Sequence, residues 1–379
     1  MRIGYDAKRI VRNGTGLGSY GRNLVNALAE ADSADELLLY APDEGRDDLR
    51  EQIVTRPNVS FRYPTHTHFR FQRDLWRTKG IIKDLVNDGV TLYHGLSGEL
   101  PLGIRDTGIP AIVTIHDLIF LRHPEYYKWL DAKIYKRKFY ATINEATHII
   151  AISECTKRDI IHYGHVPEEK ISVIYQSASK KFNITDELPP SPLLTGVDRY
   201  FLQVGTIEER KNALESVQAL EDLPKDVHLV LVGRETPYAG QVRRYAAMRG
   251  LTDRLHILSG VSNEELAKIY RHAICFAYPS RYEGFGIPII EAIQSGLPVV
   301  AATGSCLEEA GGPDSIYVSP DDSHGLAAAV RKLCSEDNRE RIAREQEYVK
   351  QFENNNVAQQ MLEIYHELSK CGHEANHHH

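Results

Sequence analysis

Cysteine is sparse in this chain and unpatterned: Cys155, Cys275, Cys306, Cys334 and Cys371 are odd in number and contain no C-x-x-C pair. That usage excludes a disulfide-stapled secreted scaffold and reads as packing thiols in a cytoplasmic protein. Long apolar runs are missing too, since none approaches the roughly 18 residues that a spanning helix needs. No signal peptide is visible, so a cytoplasmic location is expected. There is no D-x-D pair, and His66 with His68 is the sole H-x-H outside the tail. Positive charge is not in excess either: the formal charge of -7 argues against nucleic acid as the main partner.

What is present is enough for two domains, because 379 residues exceed what one core usually supports. Strand candidates Arg2 to Asp6, Leu37 to Tyr40, Val59 to Tyr63, Leu92 to Gly95, Ala111 to His116, His148 to Ile152 and Ile171 to Tyr175 alternate with helical stretches. Alternation of this kind predicts a parallel sheet covered by helices on both faces. The segment NITDELPPSPLLTGVD, rich in proline and acids, reads as a hinge-bearing linker over residues 184–198. A second alternation follows, with strands at Tyr200 to Val204, His228 to Val232, Leu255 to Leu258, Ile274 to Tyr278, Pro298 to Ala301 and Ile316 to Val318. The expectation is an α/β protein of two Rossmann-like, doubly wound parallel-sheet domains, over residues 1–183 and 199–354. Val357, Met361, Ile364 and Leu368 form an apolar stripe on a last helix, 355–371, followed by a tail, 372–379. His377 to His379 look like a tag remnant.

The chain is organised around Pro279 to Glu291, PSRYEGFGIPIIE. Glu283 stands in a loop after a strand, Gly284 and Gly286 permit a sharp turn, Pro288 opens a helix, and Glu291 lies about 5 Å along that helix at 1.5 Å per residue. Uncovered N–H groups at a helix start suit an anion such as a diphosphate, and both carboxylates can reach one bound molecule. Directly after the first strand of the second domain comes GTIEERKN, with Gly205, Arg210 and Lys211 where a strand end meets a helix start. Two cations there can hold a diphosphate. At other strand ends stand Gly233 and Arg234 in LVGRE, Gly260 and Val261 in SGVS, and His116 and Asp117 in TIHDL. His94 is a weaker candidate at a neighbouring strand end. Gly16-x-Gly18-x-x-Gly21 is a poor dinucleotide fingerprint, because Ala7 to Asn13 separate it from its strand.

EGFGIPIIEA resembles the E-x7-E signature of retaining glycosyltransferases with two Rossmann-like domains, in particular glycosyltransferase family 4. The glycine loop, TIHDL, GTIEERKN, LVGRE and CLEEAGGPDSIYVSP follow in the family's order over most of the chain. The resemblance implies the GT-B architecture, an acceptor-side N-terminal domain facing a nucleotide-sugar-binding C-terminal domain across a cleft, and a last helix that crosses back to the N-terminal domain. It implies a hexose moved from a nucleotide-diphosphate sugar, mannose-like by preference, to a hydroxyl of a glycan or lipid-linked glycan in cell-surface polysaccharide or glycolipid biosynthesis. Glu283 would position the sugar hydroxyls, Glu291 hold the ribose, and His116 contact the sugar. Arg210 and Lys211 would neutralise the diphosphate as the glycosidic bond breaks. Gly16 and Gly18 would overhang it, and Gly205, Arg234, Val261, Gly284, Phe285, Gly286 and Ile287 would line the nucleotide sugar. With no D-x-D pair, no metal or other cofactor is expected. Retention by front-face attack and by double displacement through Glu283 both remain open.

Two other classes fit parts of the pattern: a nucleotide-sugar epimerase of the same fold, and a nicotinamide-dependent oxidoreductase suggested by the N-terminal glycines. Separately, EYYKWLDAKIYKRKFYATI, Glu125 to Ile143, mixes Lys128, Lys133, Lys136, Arg137 and Lys138 with aromatic residues. On a helix they would suit peripheral contact with an anionic membrane, at the inner face of the cytoplasmic membrane, with Arg70, Arg73 and Arg77 extending the patch. Glu283, as a loop carboxylate, is expected to carry little packing.

Overall fold

A computed structural model describes residues 1–65, 69–178, 182 and 187–375, with side chains to 370. The His66 and His68 pair, residues 183–186 of the linker segment, the Cys371 side chain and His377 to His379 lie outside the described residues.

The chain folds as two compact units: Met1–Ser177 with the segment from Phe352 onward, and Ala178–Gln351. The first carries seven strands, β1 (Arg2–Asp6), β2 (Glu36–Tyr40), β3 (Val59–Arg62), β4 (Leu92–Gly95), β5 (Ala111–Ile115), β6 (His148–Ala151) and β7 (Ile171–Val173), ordered β3-β2-β1-β4-β5-β6-β7. Every neighbouring pair is parallel, with Tyr5 opposite Leu39 on one side and His94 on the other. A strand buried on both faces needs no polar alternation, and β5, AIVTI, is buried at every position. The order reverses between β1 and β4, which leaves a crevice at their carboxyl ends.

The second unit repeats the plan with β8 (Tyr200–Val204), β9 (His228–Val232), β10 (Leu255–Leu258), β11 (Phe276–Tyr278), β12 (Val299–Ala302) and β13 (Ile316–Val318), ordered β10-β9-β8-β11-β12-β13 and again parallel. Its core joins Phe201, Leu229, Leu231 and Val300 to Val217, Leu326 and Val330 on the covering helices.

The last helix, Asn354–Ala375, packs on the helix Gly16–Ala31 of the first unit. Val357, Met361 and Tyr365 join Leu24, Leu28 and Tyr5 in one core, with Ile364 and Leu368 partly buried beside it. At the N-terminus the structure departs from a glycine loop: a short helix, Lys8–Arg12, follows β1, and Gly16 already opens the next helix. Gly18 therefore sits inside a first helical turn, where an added Cβ would lie 1.8 Å from the Asn13 carbonyl oxygen. The glycine allows that close approach.

Candidate active site

In the second unit the strand ends build a floor and a charged wall. Gly205 leaves β8 at φ 141, and a Cβ on Gly233, just past β9, would fall 1.9 Å from the Gly205 carbonyl oxygen. Only glycine lets these two strand ends touch. Above them opens a cavity of about 580 Å3 whose lining includes Gly205, Gly233, Arg234, Gly260 and Val261. The Arg234 side chain is exposed at this cavity.

Next to β8 the chain makes a 3-10 turn, Glu209–Lys211, and then passes through Asn212 at φ 59 before the helix Ala213–Glu221. Asparagine tolerates that left-handed backbone, and its amide donates to the carbonyl oxygens of Pro279 at 3.1 Å and Pro320 at 2.7 Å. The Arg281 N–H adds a bond of 2.9 Å to the Arg210 carbonyl oxygen. The turn bearing the two cations is thus tied to the loop bearing Glu283.

The cations and the carboxylate form one cluster. Glu283, 9% exposed, accepts from Lys211 Nζ at 2.5 Å, Ser280 Oγ at 2.6 Å and Tyr278 Oη at 3.2 Å through Oε1, while Oε2 faces Arg210 Nη1 at 2.8 Å. Arg210 also donates to the Tyr282 carbonyl oxygen at 2.7 Å and to Glu208 at 2.7 Å. Burial alone would raise the Glu283 pKa, but Lys211 and Arg210 outweigh it and hold the carboxyl at about 2. Burial likewise opposes the charge on Arg210, and Glu283 with Glu208 overturns that, so its pKa is raised. The carboxylate and the two cations thus neutralise one another in this structure. Sequence reasoning missed Tyr278, Ser280 and Glu208 as members of this cluster, although Ser280 lies within PSRYEGFGIPIIE and Glu208 within GTIEERKN.

Of Gly284 and Gly286, only Gly286 adopts a left-handed backbone, φ 122, and it caps the helix Ile287–Gln294, which opens one residue ahead of Pro288. Cys306 Sγ lies 3.1 Å from the Glu283 carbonyl oxygen and 2.9 Å from that of Phe285, pinning the loop from the β12 side. Glu291, one turn into the helix, accepts from Tyr270 Oη at 3.4 Å.

In the first unit His116 follows β5 and is almost fully buried. Its Nε2 lies 2.8 Å from the Leu96 carbonyl oxygen and its Nδ1 2.8 Å from the Gln176 amide nitrogen. Burial pushes its pKa down to about 4, so the ring is neutral near pH 7. His94 is corrected to a structural residue: fully buried, it bridges Tyr365 Oη at 2.6 Å and Thr114 Oγ1 at 2.8 Å, and burial lowers its pKa to about 3. Arg77 is corrected as well. It sits in a π-helical turn, Trp76–Gly80, and is paired with Asp6 at 2.5 Å and with Glu99, to which Lys138 also donates at 3.0 Å. Arg73 pairs with Asp43 at 2.7 Å. Neither arginine is a spare surface charge.

The helix Trp129–Glu145 buries Phe139, Thr142 and Ile143 and turns the other way Trp129 (71% exposed), Leu130 (60%) and Ile134 (44%), beside Lys133 and Arg137. Lys133 Nζ stands 3.8 Å from the Trp129 ring centroid. No helix among the described residues is long and apolar enough to cross a membrane. Among the same residues, Asp32, Asp35 and His366 of the first unit form the one group with metal-ligating spacing. The cluster around Glu283 belongs to the second.

Residues 185–351 match the family of Glycosyl transferases group 1, and residues 14–177 match Glycosyltransferase Family 4. The chain is 26% identical to O-antigen chain mannosyltransferase B of Escherichia coli, covering 96% of this chain and 99% of that protein. It is also 26% identical to O-antigen chain mannosyltransferase RfbU of Salmonella typhimurium, over 93% and 96% of the two. Among solved structures it resembles Anabaena HepE in complex with UDP and glucose, with a TM-score of 0.72 and 19% identity over 97% of this chain and 100% of that one. The chain belongs to glycosyltransferase family 4 and has the GT-B architecture: it is a glycosyltransferase.

Proposed function

We propose that this glycosyltransferase moves a mannose-like hexose, with retention and without a metal ion, from a nucleoside-diphosphate sugar to a glycan hydroxyl in surface polysaccharide synthesis. The observation that carries the proposal is Glu283 bound to both Arg210 and Lys211 in the unit that holds the strand-end cavity. Mannosyl transfer is taken from the two O-antigen mannosyltransferases, and the epimerase reading lapses because both relatives are named as transferases. The oxidoreductase reading is disfavoured because the helix Lys8–Arg12 separates the glycines from β1, whereas a dinucleotide fingerprint follows its strand directly.

In this reading the base and ribose occupy the cavity near Gly205, Arg234 and Val261, with Glu291 on the ribose and the diphosphate near Arg210 and Lys211. The Gly284, Phe285, Gly286 and Ile287 segment faces the phosphates and the sugar with its N–H groups, while Gly16 and Gly18 give the backbone a close approach on the acceptor side. The bond from the sugar's C1 to the phosphate oxygen breaks with its electron pair passing to phosphate. The acceptor oxygen bonds to C1 on the same face, and its proton passes to the departing phosphate. Arg210 and Lys211 meet the growing charge, a type of contribution worth about 3 kcal/mol. As they turn to the diphosphate, Glu283 is released to order the sugar hydroxyls. His116 acts as a neutral wall, since either ring nitrogen must give up Leu96 or Gln176 to reach a sugar. We further propose that the Trp129, Leu130 and Ile134 face, with Lys133 and Arg137, rests on an anionic membrane that presents a lipid-linked acceptor.

The test is a scan of GDP-mannose, UDP-glucose, UDP-N-acetylglucosamine and NAD for thermal stabilisation, followed by NMR of the anomeric product and a chelator control. Stabilisation by NAD alone, an inverted product, or loss of activity with chelator and recovery with magnesium would each overturn the corresponding part. Sedimentation with anionic liposomes at low salt, lost in Lys133→Glu/Arg137→Glu, tests the membrane contact. Equal sedimentation of the variant ends it.

A further inference from the structure

At the amino ends of β1 and β2, a short turn leaves the helix Gly16–Ala31 and meets the last helix of the chain. Asp32 and Asp35 on the turn and His366 on the helix Asn354–Ala375 each offer one ligand atom, and the three atoms lie within 4.8 Å of one another. Asp35 is only 4% exposed, and its Oδ2 is buried with no hydrogen-bond partner. Its Oδ1 is taken by the Met1 ammonium. A buried carboxylate oxygen without a donor is costly, and native proteins satisfy such atoms with an ion or a water.

We propose that Asp32, Asp35 and His366 bind a divalent cation of the zinc class, which clamps the returning last helix to the first unit. Carboxylates alone would suit calcium or magnesium, but an imidazole nitrogen beside them favours zinc and its transition-metal neighbours. With metal–ligand bonds of about 2.0–2.2 Å in a tetrahedron, neighbouring ligand atoms stand about 3.3 Å apart, so the three atoms need to close by at most about 1.5 Å. His366 is exposed and free to turn inward by that much, while Asp32 is half-buried, so the fourth position faces solvent and takes a water. The Met1 ammonium balances one carboxylate, which leaves one negative charge for the cation, with His366 binding as the neutral imidazole.

The turn is fixed before any metal arrives. Asp32 N–H closes the helix on the Leu28 carbonyl oxygen at 3.0 Å, and Asp32 Oδ1 accepts from Ala34 N–H at 2.8 Å. The Asn58 amide donates to the carbonyl oxygens of Asp32 at 3.3 Å and Asp35 at 3.0 Å. On the other side Tyr365, next to His366, is fully buried with its Oη 2.6 Å from His94 Nδ1, which sets the rotation of the last helix. Such ordering lowers the cost of binding. The site stands at the opposite end of the sheet from the strand ends that carry His116: along the five residues of β1 the two ends are roughly 13 Å apart. A metal held there stabilises the fold and takes no part in sugar transfer.

The experiment strips the full chain with a chelator, dialyses it, and titrates zinc, manganese and magnesium chlorides into the wild type, His366→Gln and Asp35→Asn, with a chromogenic indicator as competitor. His377 to His379 are present in all three chains, so metal taken up by the tail is common to them. His366 is exposed, so its substitution leaves the packing intact. The wild type should bind one zinc per chain more than His366→Gln, with the apparent affinity of that site at least tenfold lower in Asp35→Asn. Zinc should raise the Tm of the wild type by several degrees and that of His366→Gln not at all, and should slow amide exchange over residues 354–370 at least tenfold. Manganese should act more weakly and magnesium not at all, and turnover of the stripped, folded chain should equal that of the zinc-loaded one. Equal zinc uptake by the wild type and His366→Gln, or no zinc uptake, which would leave a water on Asp35, would overturn the site. Magnesium stabilising as well as zinc would overturn the class of metal. Zinc binding that leaves amide exchange of the last helix unchanged, or stripping that abolishes turnover in a folded chain, would overturn the clamp.

Discussion

Replacing Glu283 by glutamine removes one charge from the middle of the cation cluster and keeps the side chain's shape. The native carboxyl is held at about 2 against an ordinary 4.5. A displacement of that size corresponds to at most about 3 kcal/mol, since one pKa unit is about 1.4 kcal/mol. The amide oxygen can take the place of only one of the two carboxylate oxygens, keeping Ser280 or Arg210 but not both, so a net loss of about 2 kcal/mol is expected. For a unit of this size that is a fall in Tm of roughly 4–8 °C. Arg210 keeps Glu208 and the Tyr282 carbonyl oxygen, whereas Lys211 keeps only the Tyr278 hydroxyl among its hydrogen-bond partners here, so most of the loss sits at Lys211. A nucleoside diphosphate restores the missing negative charge. At about 100 times its Kd it would add about 2.7 kcal/mol to any protein that binds it, and the variant should gain several degrees more than the wild type does. Scanning calorimetry with and without GDP and UDP measures both shifts. An unchanged Tm together with equal nucleotide gains would refute the mutual neutralisation of Glu283, Arg210 and Lys211. It would also restore the simpler expectation of a loop acid that carries little of the fold.

Arg77→Met leaves Asp6 and Glu99 without their buried partner and should lower the stability of the first unit by about 3–5 kcal/mol in urea unfolding; a loss below about 1 kcal/mol would count against the pairing. Gly233→Ala pushes a methyl group into the Gly205 carbonyl, so nucleotide-induced stabilisation should fall at least tenfold in apparent affinity, and unchanged affinity would move the base elsewhere. The imidazoles of His94 and His116 have their pKa lowered by burial, to about 3 and about 4. The unfolded chain takes up protons on them below about 6.5 while the folded chain does not. Their contribution is therefore complete above pH 6.5 and is lost as the pH falls toward 4, so the urea midpoint should drop between pH 7 and pH 5, and His94→Asn should flatten that slope. The Glu283 carboxyl, depressed instead from the acid range, should weaken the second unit only as the pH falls from about 4.5 toward 2.

The two doubly wound sheets and the E-x7-E loop could be read from the amino-acid chain alone, because short β-rich runs between amphipathic stretches repeat a local period, and a chain's period is readable residue by residue. Strands such as Tyr200–Val204 and Leu255–Leu258 and the stripe of Val357 and Met361 were legible for that reason. Contacts between residues far apart in the chain were decided only by the tertiary structure. Nothing local marks Glu283 as the partner of Lys211, or Arg77 as the partner of Asp6, since the first pair meets only where the loops after β11 and β8 converge and the second only where a helical turn packs on the end of β1. His94 and His116 look alike as histidines at neighbouring strands, yet the first is sealed between Tyr365 and Thr114 while the second reaches the wall of a cavity. Burial separates them, and burial is a property of everything packed around a residue rather than of the residue and its neighbours in sequence.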